Sequence, residues 1–243
     1  MSKQNAARSR AERAAAELSA LERQNRIRQI TTVGSILAGL VLVVVVGYFL
    51  QSNRDLATKP TDPPAGATDT YALAVGDPDA PDTVVVYEDF LCPFCAELEG
   101  ATRERLAELA AEGEVYVEYR PFQLLGIDYS MEAASAFGVV LDVSGPEVAK
   151  EFHDLLFENQ PSEGGPYPDT DDLVAWAVEA GADEEQVRGP IEETAFRQWV
   201  INASDAASKA GINTTPTVLV NGEPLNNRQG IEEQAADLFA QIG

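Results

Sequence analysis

The sequence predicts an α/β fold with a helical insertion, preceded by a single transmembrane helix. Three patterns predict it: an uncharged run at residues 30–50, a strand–helix–strand pattern after residue 70, and a strand–hairpin–helix pattern near the carboxyl end. About 80 residues of helical character separate the last two patterns. A chain of 243 residues accommodates one or two domains, and its 45% hydrophobic content suffices for a packed core.

The first 50 residues combine a basic segment with an apolar one. Residues 1–29 carry seven basic and three acidic side chains and predict a polar helix. Residues 30–50 carry no charge and, at ~1.5 Å per residue, match the roughly 30 Å core of a bilayer. The run is longer than the ~7–15 residues typical of the apolar region of a signal peptide, and no small-residue cleavage site follows it. An uncleaved anchor is therefore favoured over a cleaved signal or a buried soluble helix.

This anchor predicts where each part of the chain resides. The positive-inside rule assigns residues 1–29 to the cytoplasm and residues 51–243 to the outside of the cell membrane. The chain is thus expected to be a single-pass membrane protein whose larger, carboxyl-terminal part is extracytoplasmic. That environment is oxidising, so paired cysteines there can form disulfides.

A globular domain is expected at residues 70–243, after a linker at 51–69 that is rich in proline, aspartate and threonine. Apolar and β-branched runs predict strands at Tyr71–Val75, Thr83–Tyr87, Val115–Tyr119, Thr217–Val220 and Glu223–Leu225. Helical patterns predict helices at Pro93–Ala111 and Ile231–Ile242, with a helical insertion at about 128–210. The continuous run Thr83–Tyr87 is typical of a strand buried on both faces.

Composition excludes several classes of protein. The net charge of −23, from 17 basic and 40 acidic residues, argues against a nucleic-acid partner, because nucleic acids bind basic surfaces. Two cysteines and a single histidine exclude a disulfide-stapled mini-protein, an all-cysteine zinc site and a Cys2His2 finger. No metal site is therefore expected.

The chemistry is concentrated at Cys92-Pro93-Phe94-Cys95, which follows a buried-type strand and begins a helix. The positive end of that helix favours the thiolate of Cys92, and the thiolate is the nucleophile of thiol–disulfide exchange. Cys95 lies one turn further and is placed to resolve a mixed disulfide. Pro93 suits the first helical turn because it has no N–H to leave unpaired. A redox-active pair is favoured over a zinc half-site or a structural disulfide.

Three segments carry a family resemblance: Tyr87–Cys95 (YEDFLCPFC), Phe152–Gln160 (FHDLLFENQ), and Thr215–Thr217 (TPT) with Asn221–Gly222 after it. They resemble the thioredoxin superfamily and, within it, the membrane-anchored DsbA-like thiol:disulfide oxidoreductases of bacteria. The resemblance covers roughly residues 70–243 and implies a thioredoxin-like fold.

The resemblance also implies roles for individual residues. Pro216 is expected to be a cis-proline that faces the cysteine pair and completes the catalytic set with Cys92 and Cys95. Its cis bond would turn the backbone of Thr215 toward Cys92, where it can pair with an extended substrate strand. Thr215, Pro93 and Phe94 are the expected substrate contacts.

The sequence departs from the family at two positions. Phe94 stands where DsbA has a histidine that helps to hold the thiolate. Val86 stands where thioredoxin-like proteins often carry a buried acid. Glu88 is a candidate proton relay in its place, as is Asp89, although both would also suit a solvated strand end. His153 lies among apolar residues, so a structural role is favoured over a metal ligand or general base.

The predicted function is extracytoplasmic thiol–disulfide exchange that oxidises cysteines of secreted proteins through the Cys92–Cys95 pair. Unfolded or reduced secreted proteins would be the substrates, and the resemblance implies reoxidation by a membrane partner of the DsbB or vitamin-K-epoxide-reductase-like type. No cofactor is needed, because the electrons pass between sulfur atoms. Two alternatives stay open: a disulfide reductase or isomerase, and a non-enzymatic chaperone or binding module.

Overall fold

The structure is a computed structural model that describes residues 59–226 and 230–242. The strands are β1 (Leu73–Val75), β2 (Asp82–Glu88), β3 (Val115–Pro121), β4 (Thr217–Val220) and β5 (Glu223–Pro224). The helices are α1 (Pro93–Ala111), α2 (Asp128–Glu158), α3 (Thr170–Glu179), α4 (Glu184–Glu192), α5 (Arg197–Lys209) and α6 (Ile231–Gln241).

The predicted cytoplasmic helix (1–29), the predicted anchor (30–50) and the first residues of the linker lie outside the described ranges. None of the helices from α1 to α6 is long and apolar enough to cross a bilayer. The remaining linker residues, from 59 onward, form no helix or strand but contact the domain. The Asn202 side chain bonds the backbone N–H and C=O of Lys59, and the Ala65 N–H donates to Asp142 at 2.8 Å.

The strands form one mixed sheet in the order β1-β3-β2-β4-β5. Strand β2 pairs in parallel with β3 and antiparallel with β4, so Val85 lies opposite both Glu118 and Leu219. The parallel pair needs a crossover, which α1 supplies. Strand β2 thereby occupies the centre of the sheet, and its carboxyl end delivers the chain to the first turn of α1.

Both faces of β2 are buried, as its continuous apolar sequence predicts. Val84 and Val86 point into the main core, whereas Val85 and Tyr87 pack in a second cluster with Phe122 from the segment after β3. Burial on both faces is typical of a strand whose sequence is continuously apolar. It also means that the end of β2 is enclosed by the domain.

Helices α2 to α5 form the insertion between β3 and β4, so the predicted α/β fold with a helical insertion is confirmed. Helix α2 is interrupted at Gly145, which has a positive φ of 83°. The interruption falls there because Pro146 disfavours the helical conformation in the residue before it. Helix α3 begins with a capping box between Asp169 and Asp172.

Helix α1 and strand β4 have the predicted bounds, whereas β1 is shorter than predicted. Tyr71 adopts a left-handed φ of 64°, so it cannot extend the strand toward its amino end. Strand β3 continues to Pro121, two residues beyond the predicted Tyr119, because its pairing with β2 extends to Glu88.

Candidate active site

The turn between β2 and α1 is organised by Asp89, which is fully buried. Its carboxylate accepts hydrogen bonds from the backbone N–H of Leu91 at 3.0 Å, Leu124 at 2.8 Å and Leu125 at 3.1 Å. Its carbonyl accepts the N–H of Cys92 at 2.9 Å. The expectation that Asp89 could be a solvated strand-end residue is therefore wrong, because it ties the turn to the segment after β3.

Cys92 is the N-cap of α1, and Cys95 lies in the first turn of the same helix. Both are free thiols in this structure, with Cys92 5% exposed and Cys95 1% exposed. The Cys92 Sγ contacts the carbonyl oxygen of Thr215 at 3.4 Å. This contact joins the cysteine pair to the loop before β4, which lies far along the chain.

The pKa values of the two thiols are shifted in opposite directions. A hydrogen bond from Cys95, aided by Thr215 and by the backbone N–H groups of Cys95 and Phe94, outweighs burial and lowers the pKa of Cys92 from 9.0 to about 6. Burial, and then the hydrogen bond and charge of Cys92, raise the pKa of Cys95 well above its ordinary value. Cys92 is therefore the thiol that ionises near neutral pH, and Cys95 stays protonated beside it.

A groove of about 490 Å³ adjoins the cysteine pair, and Phe94, Thr215 and Pro216 are among the residues that line it. The Thr215–Pro216 peptide is cis. Pro216 is buried, and Phe94 is 59% exposed, so an aromatic ring faces the solvent next to Cys92. The structure thus brings the predicted catalytic and substrate-contact residues to one surface, together with the half-buried Pro93; their roles stay predictions.

Gln160 also supports this site, although its role was not recognised from the sequence. Its side-chain amide donates to the carbonyl oxygens of Phe90 and Cys92, both at 3.0 Å. Gln160 is the last residue of the Phe152–Gln160 segment that carries the family resemblance, and that segment could have indicated a role in the site. Asp89 likewise lies within the segment before the first cysteine.

Three ionisable residues are buried behind the cysteine pair: Glu88, Glu99 and His153. The Glu88 Oε1 lies 2.7 Å from the His153 Nε2, so the expectation that Glu88 could be solvated is wrong. The negative charge of Glu88 contributes, after burial and Cys92, to the raised pKa of Cys95. A proton relay through Glu88 stays a prediction. Glu99 was not predicted as a site residue, although it lies seven residues before Leu106 and therefore on the buried face of α1, unlike the exposed Glu97.

A cysteine pair at the start of the first long helix, beside a cis-proline loop and a central parallel strand, defines a site of the thioredoxin type. A family model described as Thioredoxin matches residues 68–237. The chain belongs to this family.

Solved structures of bacterial disulfide proteins share the fold. The oxidised DsbA of Mycobacterium tuberculosis is 30% identical, with a TM-score of 0.58, and the match covers 70% of this chain and 89% of that one. Oxidised BdbD from Bacillus subtilis has a TM-score of 0.63, covering 74% of this chain and 97% of that one; at 24% identity it supports the fold alone. The predicted DsbA-like membership of the thioredoxin superfamily, with a helical insertion, is confirmed.

Curated relatives are of two kinds. "Probable disulfide bond formation protein D" of Bacillus cereus is 28% identical over 63% of this chain and 71% of its own length. "Na(+)/H(+) antiporter NhaA 3" of Salinispora tropica is 29% identical over 68% of this chain. The chain spans only 24% of the length of that antiporter. The predicted enzyme class, thiol–disulfide oxidoreductase, agrees with the relatives that match over most of their length.

Proposed function

We propose that the protein catalyses extracytoplasmic thiol–disulfide exchange and oxidises cysteines of secreted proteins through Cys92 and Cys95. The observation that carries this proposal is the position of Cys92 at the N-cap of α1, beside the buried Cys95 and the Thr215 loop. In this position the pKa of Cys92 is lowered to about 6, whereas burial raises that of Cys95 well above its ordinary value. One sulfur is thereby a stable thiolate and leaving group, and the other holds its proton.

The reaction begins with the Cys92–Cys95 disulfide. A substrate thiolate attacks the Cys92 Sγ, the bond between the two enzyme sulfurs breaks, and the Cys95 thiolate takes up a proton. A second substrate thiolate then attacks the substrate sulfur of the mixed disulfide and expels the Cys92 thiolate. The substrate loses two electrons and two protons in forming its disulfide, and the enzyme gains both electrons.

The groove beside Pro216 supports an extended segment of an unfolded protein as the substrate. The exposed ring of Phe94 offers apolar contact on one side, and the Thr215 backbone offers hydrogen bonds on the other. Such contacts select for an accessible, unstructured cysteine more than for a particular sequence.

The location and the reoxidising partner belong to the same proposal. The uncharged run at residues 30–50, with basic residues before it, supports an anchor that leaves the domain outside the membrane. The reduced pair would return its electrons to a membrane reoxidase of the DsbB or vitamin-K-epoxide-reductase-like type. Protease added to spheroplasts should digest the domain, whereas protection of the domain would contradict this orientation.

The activity is tested with the full chain and two single variants. The wild type should reoxidise reduced ribonuclease, and Cys92→Ser should be inactive. Cys95→Ser should accumulate mixed disulfides, because its Cys92 thiolate attacks disulfides of secreted proteins and no Cys95 thiol remains to attack Cys92 and release them. Unchanged function of Cys92→Ser in cells, with Cys95 intact, would support the binding-module alternative. A strongly reducing potential against glutathione, with insulin reduced but ribonuclease not reoxidised, would support the reductase alternative.

A further inference from the structure

A cluster of three buried side chains that could bind a metal ion lies near the cysteine pair, and it includes neither cysteine. Glu88 ends β2, Glu99 lies in α1, and His153 lies in α2. Their exposed fractions are 0%, 2% and 0%. One donor atom from each side chain lies within 4.8 Å of the others. Three separate elements therefore bring two carboxylates and one imidazole to a single enclosed point.

The carboxylates of this cluster are incompletely satisfied. Glu88 Oε2 and both side-chain oxygens of Glu99 are buried without a hydrogen-bond partner among the described residues. Buried polar atoms are nearly always paired, and an unpaired carboxylate is especially unfavourable. Protonation of Glu99 would remove its charge but would leave its other oxygen unpaired. A single bound cation would offer positive charge to all three oxygens.

The histidine is oriented as a ligand of such a group. His153 Nδ1 lies 3.1 Å from Asp154 Oδ1, and Asp154 is held by the ammonium of Lys150 at 2.6 Å. A carboxylate that accepts the Nδ1 proton fixes the ring and leaves the Nε2 lone pair for a metal. The Nε2 atom is the one that faces Glu88.

We propose that Glu88, Glu99 and His153 bind one divalent transition-metal ion, with Zn²⁺ as the best match. Two glutamates neutralise a dication, and a mixed imidazole–carboxylate set is one that zinc accepts in a four-coordinate site. Magnesium and calcium prefer six or more oxygen ligands, which this enclosed cluster does not offer. Binding displaces the proton shared between His153 and Glu88, and a water molecule supplies the fourth ligand.

The test uses the full chain with Cys92 and Cys95 oxidised to a disulfide, so that thiolates cannot act as ligands. The donors are buried, so the protein is refolded with Zn²⁺ or with a chelator, and free metal is then removed. We expect one retained Zn²⁺ per chain and a higher melting temperature than after refolding with chelator. X-ray absorption should show only bonds to nitrogen and oxygen at about 2.0–2.2 Å, and none at the ~2.3 Å typical of sulfur.

Variants decide whether the ion occupies this cluster. Glu99→Gln should lower zinc affinity more than a hundredfold, and Asp154→Asn should lower it about 10–100-fold through the orientation of His153. Glu104→Gln, which removes an exposed carboxylate of the same helix, should leave it unchanged. No retained Zn²⁺ in the wild type, or equal retention by all variants, would overturn the proposal and leave a cluster satisfied by water and protons. If Glu99→Gln does not fold, the zinc affinity of Asp154→Asn and the X-ray absorption spectrum of the wild type still test whether the ion occupies this cluster.

Discussion

Raising the pH should convert Cys92 of the reduced protein from thiol to thiolate with a midpoint near 6, rather than near the ordinary 9.0. A thiol with this pKa is about 90% ionised at pH 7, whereas an unperturbed one is about 1% ionised. The thiolate exists only in the reduced form, so its stabilisation also sets the oxidising power of the pair.

The magnitude and the sign follow from linkage. Folding lowers the pKa of Cys92 from 9.0 to about 6, so its contribution to stability is complete above the ordinary pKa and is lost as the pH falls through 6. The contribution to the free energy of unfolding of the reduced protein is ~1.4 kcal/mol at pH 7 and ~4 kcal/mol above pH 9. At pH 7 this makes the pair more oxidising by ~30 mV than an unperturbed pair would be.

The assay is the rate of alkylation of Cys92 by iodoacetamide as a function of pH, in the full chain. Cys95→Ala is the matched variant, because it removes the hydrogen bond that lowers the pKa of Cys92 most. Its midpoint should rise toward the ordinary value. A wild-type midpoint of about 8.5 or higher, or an unchanged midpoint in Cys95→Ala, would refute the reasoning.

Asp89→Asn replaces a carboxylate that accepts three backbone N–H groups and should lower the free energy of unfolding in urea by about 2–3 kcal/mol; equal stability would contradict its role in the turn. Gly76→Ala should cost about 1–3 kcal/mol, because φ is +100° and a Cβ would lie 2.4 Å from the Val115 carbonyl oxygen. Gly100→Ala should instead stabilise the protein by about 0.5–1 kcal/mol, because a Cβ there would meet no neighbouring atom and alanine favours the helix. Thermal melts in which Gly76→Ala is the more stable of the two variants would refute both predictions. Phe94→His should make the pair more oxidising against glutathione, because an imidazolium beside Cys92 favours its thiolate; an unchanged or lower potential would count against this.

Local patterns predicted the elements that hold the cysteine pair. Helix α1 could be placed because Pro93 and the following apolar spacing are local signals of a helix start. The burial of both faces of β2 could be inferred because a continuous β-branched run has no polar face. The bounds of β1 were predicted less well, since the left-handed backbone at Tyr71 has no signal in its residue type.

The buried acids were the least predictable part of the site. Glu88, Asp89 and Glu99 are of residue types that are mostly exposed, so their residue types give no indication that they are buried. Glu88 is enclosed with His153 of α2, whereas Asp89 is enclosed by the segment after β3, whose Leu124 and Leu125 N–H groups donate to its carboxylate. The residue types of Glu88 and Asp89 carry no information about these distant contacts.

The sequence by itself determined where strands and helices follow one another along the chain, and that two thiols lie at a helix N-terminus. Both features could be predicted because they depend on residues that are neighbours in the chain. Local patterns do not bring Thr215 to Cys92, 123 positions earlier; the resemblance implied that contact, and the structure places the Cys92 Sγ 3.4 Å from the Thr215 carbonyl oxygen. Only the tertiary structure decided that Glu88, Glu99 and His153 converge. Such contacts depend on sheet register and on the packing of distant helices. The acidity of Cys92 arises mainly from its own motif, because the hydrogen bond from Cys95 lowers its pKa most and the contact with Thr215 adds a smaller contribution.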